Sequence, residues 1–303
     1  MIDVSIVILT FRRLRLVKRT ILSCVNQRND LALNYEIIVV DNSPEMSAKA
    51  VVAQLASTCS VPIFYVSEPC QNISLARNAG IAASKAPLLA YIDDDEQASE
   101  DWLDQLVGAQ RKYGADAVFG PTTPVFEEGS PPAWDPNASY YTRRRTVATG
   151  TEVPWGPACN VLFKYETCLA GPQSFNPKFG LTGGEDLDFS LHLAKKGRKL
   201  IWSAESHVTE TIPSNRSTVR YILRRRLRGG QIYVWCSTRV SDHPFWTALY
   251  WMFVGLGQTM IWLIPGMVLA PFDTPVSARA KINLVGGIGK VFWSRRFRFR
   301  FYT

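Results

Sequence analysis

Leu88-Leu89-Ala90-Tyr91-Ile92-Asp93-Asp94-Asp95-Glu96 joins a short apolar run to four consecutive acids. The run has the length and make-up of a buried strand. Carboxylates this crowded repel one another and resist burial unless a cation compensates them. Asp93 and Asp95, two residues apart, suit one hard divalent ion and the phosphates bound to it. The plainer reading is a solvated acidic turn capping the next helix, since Asp and Glu favour helix N-termini. The surrounding chain decides between them.

Working outward, apolar β-branched segments alternate with segments of helical spacing. Val4–Thr10 and residues 35–40, 62–66 and 88–92 read as strands, and Ala117–Phe119 as a fifth, short one. Residues 16–26, 46–56, 74–84 and 100–113 read as helices, the last with Trp102, Leu103, Leu106 and Val107 inward. The alternation predicts an α/β fold: a mainly parallel, Rossmann-like sheet with helices on both faces. In such sheets ligands bind beyond the carboxyl ends of the strands. Thr10-Phe11-Arg12, Asp41-Asn42-Ser43 and Asp93-Asp94-Asp95 stand there. Three strand ends thus converge on one polar, largely acidic edge, which a random acidic loop does not explain. No Gly-x-Gly-x-x-Gly follows the first strand and no Gly-Lys-Ser/Thr loop occurs, so phosphate has to be held through a metal.

Ser74 is the expected N-cap of the third helix. Arg77 then falls in its first turn, an unfavourable place for a cation unless it faces an anion or a base ring. An ordinary surface arginine is the alternative. From residue 120 to 157 the prolines and glycines argue for a long irregular segment, of the kind that forms a lid or an acceptor rim. Trp155-Gly156-Pro157-Ala158-Cys159-Asn160 leads into the apolar Val161-Leu162-Phe163. Trp155 could stack on a sugar or simply fill the core; Trp155 and Asn160 are the acceptor-side candidates. Thr182-Gly183-Gly184-Glu185-Asp186 opens an acidic helix that ends near Gly197. Glu185 and Asp186 either cap it or supply a general base on a glycine-flexible turn.

Charge is unevenly placed. From Arg216 onward the chain carries 14 Lys and Arg against 2 Asp and Glu, whereas the whole chain is only +8. The basic part therefore calls for an acidic surface partner. No charged residue lies between Asp242 and Asp273, a run long enough to cross a bilayer and rich in Trp, with Pro265-Gly266 inside it. Arg220, Arg224, Arg225, Arg226 and Arg228 precede it; Lys281, Lys290, Arg295, Arg296, Arg298 and Arg300 follow. Basic residues on both flanks put both on the cytoplasmic side, which favours a re-entrant or broken hairpin on anionic lipid. A buried helix of the soluble fold is the alternative. Nucleic acid is a poor partner, because no recognition motif accompanies the charge. The six cysteines are scattered without a Cys-x-x-Cys pair, and no zinc site is expected. Asp3 precedes the first apolar run and Arg12 and Arg13 follow it, the reverse of a secretory leader.

Val4–Thr10, Asp41, residues 72–80, Asp93 to Asp95 and Gly184-Glu185-Asp186 occur in the order and rough spacing of the family-two inverting glycosyltransferases. The chain resembles that family over about residues 1–230, and within it the bacterial enzymes that build succinoglycan-type exopolysaccharide. The resemblance implies a GT-A fold that binds a UDP-sugar with Mg²⁺ or Mn²⁺. It implies a nucleotide-sugar half (1–120) and an acceptor-binding and catalytic half (121–230), to which the charge and hydropathy pattern adds a membrane-associated basic region (231–303). Thr10, Asp41, Arg77, Asp93 and Asp94 match donor-binding positions. Asp93 and Asp95 match the outer members of the D-x-D motif near ribose and metal, and His207 lies where some relatives place a further ligand. Asp186 of the Glu185-Asp186 pair matches the catalytic base. The implied activity is transfer of a sugar, glucose as the family-level expectation; the apolar and basic tail, not the motifs, points to a lipid-linked oligosaccharide acceptor at the cytoplasmic face of the inner membrane. Two other classes use the same residues differently: a metal-dependent nucleotidyl- or phosphotransferase, and a non-catalytic membrane assembly subunit.

Overall fold

The computed structural model describes residues 1–171, 174–272 and 274–298. Ten strands are present among them: β1 (Val4–Thr10), β2 (Tyr35–Asp41), β3 (Ile63–Ser67), β4 (Leu88–Asp93), β5 (Glu96–Ala98), β6 (Ala117–Phe119), β7 (Thr122–Phe126), β8 (Val161–Lys164), β9 (Leu200–Trp202) and β10 (Val208–Ile212). The helices are α1 (Leu14–Val25), α2 (Lys49–Thr58), α3 (Ile73–Ala83), α4 (Trp102–Tyr113), α5 (Glu185–Lys195), α6 (Val219–Val240), α7 (Pro244–Val268) and α8 (Pro275–Val291). The chain divides into two compact units. One holds residues 1–123, 143–181 and 185–210; the other holds 124–142, 182–184 and 211 onward.

The first unit contains the seven-stranded sheet, in the order β3-β2-β1-β4-β8-β6-β9. β1 pairs in parallel with β2 and β4, β2 with β3, and β6 with β9. β8 alone runs antiparallel to its neighbours β4 and β6. The sheet is therefore mainly parallel, as predicted, with one reversed strand that periodicity does not reveal. Continuous apolar runs such as β1 are what a strand covered on both faces requires. Val4, Ile6 and Ile8 pack on one face with Val17 and Ile21 of α1 and Trp102, Leu103 and Leu106 of α4. Val7, Ile38 and Tyr91 pack on the other with Ala76 and Ile81 of α3 and Phe189 of α5. A Cβ on Gly80 would lie 2.5 Å from Val7 Cγ1, so glycine is what lets α3 sit this close to β1.

Local chemistry moves several predicted boundaries. Met46 has φ +55°, so α2 starts later, at Lys49. Asn72, not Ser74, caps α3: its side chain accepts from the N–H groups of Ser74 and Leu75. The segment after residue 120 is not wholly irregular. It includes β7, at the edge of a small sheet ordered β5-β10-β7, where Pro124 is tolerated because an edge strand needs fewer N–H donors.

In the second unit Phe126, Trp134, Tyr141, Ile212, Ile222, Ala278 and Ile282 form one core cluster. The predicted boundary at residue 230 falls inside α6, which runs through Gly229-Gly230 unbroken. α7 continues through Pro265, and the chain returns along it as α8. Arg300 lies outside the described residues.

Candidate active site

The register of the sheet assembles the site. Thr10 is level with Asp41, and Leu9 with Asp93, so three strands end at one edge. Chain order reverses at β1: β2 and β3 build outward on one side, and β4 returns to the other. Ligand crevices in open α/β sheets form at such a switch point.

Three of the four acids at the end of β4 are fastened by side chains from neighbouring elements. Asp94 accepts from Thr10 Oγ1 at 2.8 Å and from Arg13 Nη1 at 2.9 Å. Asp95 accepts from the same Arg13 nitrogen at 2.9 Å. Thr20 of α1 donates to the Asp94 and Glu96 carbonyls, pinning the turn. Glu96 is fully buried and accepts from Arg143 at 2.9 Å, which also pairs with Glu210 at 2.8 Å. Burial, partly offset by Arg13, pushes the Asp94 carboxyl up to about 6. Burial, opposed by Arg143 and aided by Glu210, pushes Glu96 up to about 7. Asp93 is raised well above the usual carboxylate range by desolvation and by Glu96 beside it.

Carboxylate oxygens of Asp93 and Glu96 and the Cys159 sulfur lie within 4.8 Å of one another. Two hard oxygen donors crowding each other, Glu96 buried and Asp93 partly open to solvent, fit a divalent cation. Burial raises the Cys159 thiol, so at neutral pH the carboxylates are its stronger donors. This cluster shares only Asp93 with the ligand set expected from sequence. Asp95 is drawn to Arg13, and His207 is exposed in the turn before β10. Glu96 and Arg13 were visible as the fourth acid and as a cation directly after β1. Nothing local to Cys159 or Arg143 marked either.

Glu185 and Asp186 open α5 after Gly183 and Gly184, which have φ +74° and +98°. Such conformations favour glycine and let the chain turn sharply into the helix. Asp186 is partly exposed and accepts from the Leu187 N–H at 2.8 Å. Glu185 is buried and bonded to Arg77, and its other oxygen has no partner. Desolvation raises the Glu185 carboxyl; Arg77 opposes this and Asp186 adds to it. Arg77 is only 4% exposed, so it is not the surface arginine that was the alternative. Its Nη2 donates to the Ala158 carbonyl at 3.3 Å and lies 4.0 Å from Asp93 Oδ1. One buried guanidinium thus ties the end of β4 to the start of α5.

Asp41 is fully buried. It accepts from the Ser43 N–H and hydroxyl, the Ala48 N–H at the start of α2, and the Tyr65 hydroxyl. Trp155 is half-buried, with the Arg145 guanidinium 5.4 Å from its ring centre. Asn160 does not face an acceptor. It has 0% exposure, donates to the Pro121 and Ser206 carbonyls at 2.7 and 2.8 Å, and accepts from Trp102 Nε1 at 2.8 Å. Its side chain is spent on holding loops together.

Comparison with known proteins agrees with this architecture. Residues 5–168 match the model of glycosyl transferase family 2. The chain is 33% identical to the succinoglycan biosynthesis protein ExoM of Rhizobium meliloti over 77% of its own length and 74% of that protein. It is 23% identical to the glycosyltransferase AglE of Haloferax volcanii over 73% of its length and 70% of that protein. Among solved structures, S. aureus TarS (residues 1–349) superposes with a TM-score of 0.55 at 13% identity, covering 95% of this chain and 90% of that one. The same fragment in complex with UDP gives 0.53 at 13% identity, with the same coverage. By family model and by relative, this chain belongs to glycosyl transferase family 2 and is a glycosyltransferase with a GT-A-like fold.

Proposed function

We propose that this glycosyltransferase moves a sugar, glucose in the first instance, from a UDP-sugar to a lipid-linked oligosaccharide. The reaction would serve exopolysaccharide synthesis at the cytoplasmic face of the inner membrane, with inversion at the anomeric carbon. The observation that carries the reading is the convergence of Thr10, Asp41 and Asp93 at one sheet edge, joined through Arg77 to Glu185 and Asp186. The name of the R. meliloti relative and the UDP bound by TarS support the pathway and the nucleotide.

In this reading an Asp186 oxygen takes the proton from the acceptor hydroxyl. The hydroxyl oxygen bonds to the anomeric carbon from the face opposite the diphosphate. The bond from that carbon to the leaving oxygen breaks, and its electron pair stays on UDP. Asp93 and Glu96, with Asp95 adjacent, would hold Mg²⁺ or Mn²⁺, which when bound offsets charge on the leaving diphosphate. Arg77 keeps Glu185 and the α5 N-terminus in place. The test is release of free UDP from a panel of UDP-sugars, with Mn²⁺ or Mg²⁺ against EDTA. One donor hydrolysed slowly and only with metal supports the reading; pyrophosphate as product, or no binding of any UDP-sugar, contradicts it.

A further inference from the structure

α7 is built inside out. Its buried residues are Gly255 and Gly266, and its polar Gln258 is engaged by α8. Gln258 Nε2 donates to the Asn283 carbonyl at 2.6 Å, and Lys290 Nζ donates to Gln258 Oε1 at 2.6 Å. Its exposed residues are large and apolar. Trp246, Tyr250, Phe253, Met260, Ile264 and Met267 are 66, 61, 64, 63, 71 and 67% exposed. Their spacing draws one stripe along the whole helix. A helix folded for water would present the opposite faces.

By length α7 could cross a bilayer: 25 residues span about 37 Å. Its neighbours argue against it. Gly255 approaches Gly287 and Lys290, and Gly266 approaches Leu284, so α8 runs back alongside α7. α6 lies along α8 in turn. A Cβ on Gly230 would be 2.7 Å from the Gly286 carbonyl, and Ile222 packs with Ala278 and Ile282. The stretch of α6 from 222 to 230 is therefore level with most of α8 and with the second half of α7. That stretch and the turn before it carry Arg220, Arg224, Arg225, Arg226 and Arg228. A perpendicular α7 would take these arginines and Lys290 to hydrocarbon depth, where charged side chains are strongly disfavoured.

We propose that α7 lies in the plane of an anionic phospholipid membrane, its outward stripe sunk into the acyl region of one leaflet. Lipid phosphates then meet Arg239 and Arg298, which line a recess with Phe245 and Trp293 at the N-terminal end of α7. The Arg298 guanidinium rests 3.6 Å above the Trp235 ring, an amphipathic pairing suited to a headgroup boundary. This is a statement about one surface of the second unit and stands independently of the sugar-transfer chemistry.

The test uses the full chain carrying Cys70→Ser, with bimane on Phe253→Cys, Met260→Cys or Met267→Cys. Vesicles of phosphatidylcholine, with or without phosphatidylglycerol, carry nitroxide lipids labelled at shallow or deep acyl positions. In-plane binding gives the same shallow quenching at all three positions, stronger with phosphatidylglycerol. A depth profile that peaks at one position marks a crossing and overturns the proposal. Absence of quenching, including a chain that only dimerises through this stripe, overturns it too. The Phe253→Glu/Met260→Glu/Ile264→Glu variant alters only outward side chains. It should keep its circular dichroism and lose vesicle binding at least about tenfold; unchanged binding would refute the proposal.

Discussion

Replacing Arg77 by methionine removes a cation that is 4% exposed and leaves Glu185, 3% exposed, without its partner. Breaking one side of a buried pair costs about 3–5 kcal/mol. Here the carboxyl can escape part of that cost by taking up a proton. Doing so at pH 7 from an ordinary value near 4.3 costs about 3–4 kcal/mol, at about 1.4 kcal/mol per pH unit. The expected loss at pH 7 is therefore about 3 kcal/mol, shrinking by about 1 kcal/mol for each unit of acidification toward pH 5. The sign follows from linkage: a folded-state carboxyl raised above its unfolded value gives stability at low pH that is lost as pH rises. Arg77→Met/Glu185→Gln removes both charges and should recover about half of the loss or more. Urea unfolding in detergent, followed by tryptophan fluorescence at pH 5, 6 and 7, reads all four corners of the cycle. A loss under about 1 kcal/mol, no pH dependence, or strictly additive single effects would refute the buried-pair reading.

Three further outcomes follow from the same geometry. Glu96 and Asp94 are raised to about 7 and about 6, so metal-free protein should lose a few °C of Tm as pH rises from 5.5 to 8, by differential scanning fluorimetry in EDTA; Mn²⁺, which favours the ionised forms, should flatten that slope. Asn160→Ala deletes three buried hydrogen bonds and should lower stability by about 2–4 kcal/mol in the same urea assay, without a separate effect on acceptor KM. His207 is exposed and outside the acidic cluster, so His207→Ala should leave the Mn²⁺ concentration for half-maximal activity unchanged, measured by UDP release.

The sheet was legible because its strands are covered on both faces and so read as unbroken apolar runs. The polar edge was legible because parallel strands end together: Thr10, Asp41 and Asp93 are neighbours by register alone. The apolar run Val161-Leu162-Phe163 of β8 was visible, but not its reversed direction, since direction leaves no periodic trace. Arg77 was found as an oddly placed cation, and its partner was not, because Glu185 is 108 residues away in sequence. Asn160 misled for a related reason. A polar residue beside a turn looks exposed until the Trp102, Pro121 and Ser206 groups that bury it are in place. Pro265 suggested a break in the apolar run. The helix nonetheless continues through it, with Gly266 close against Leu284 of α8.

The most direct measurement pairs two assays on Asp186→Asn: sugar transfer to a lipid-linked acceptor, and calorimetric binding of UDP with Mn²⁺. Asp186 sits partly exposed at the α5 N-terminus, next to the buried Glu185–Arg77 pair. A general base there predicts transfer reduced about 10²-fold or more, with UDP affinity unchanged. Transfer at the unmodified rate would contradict Asp186 as the base, and with it the central claim.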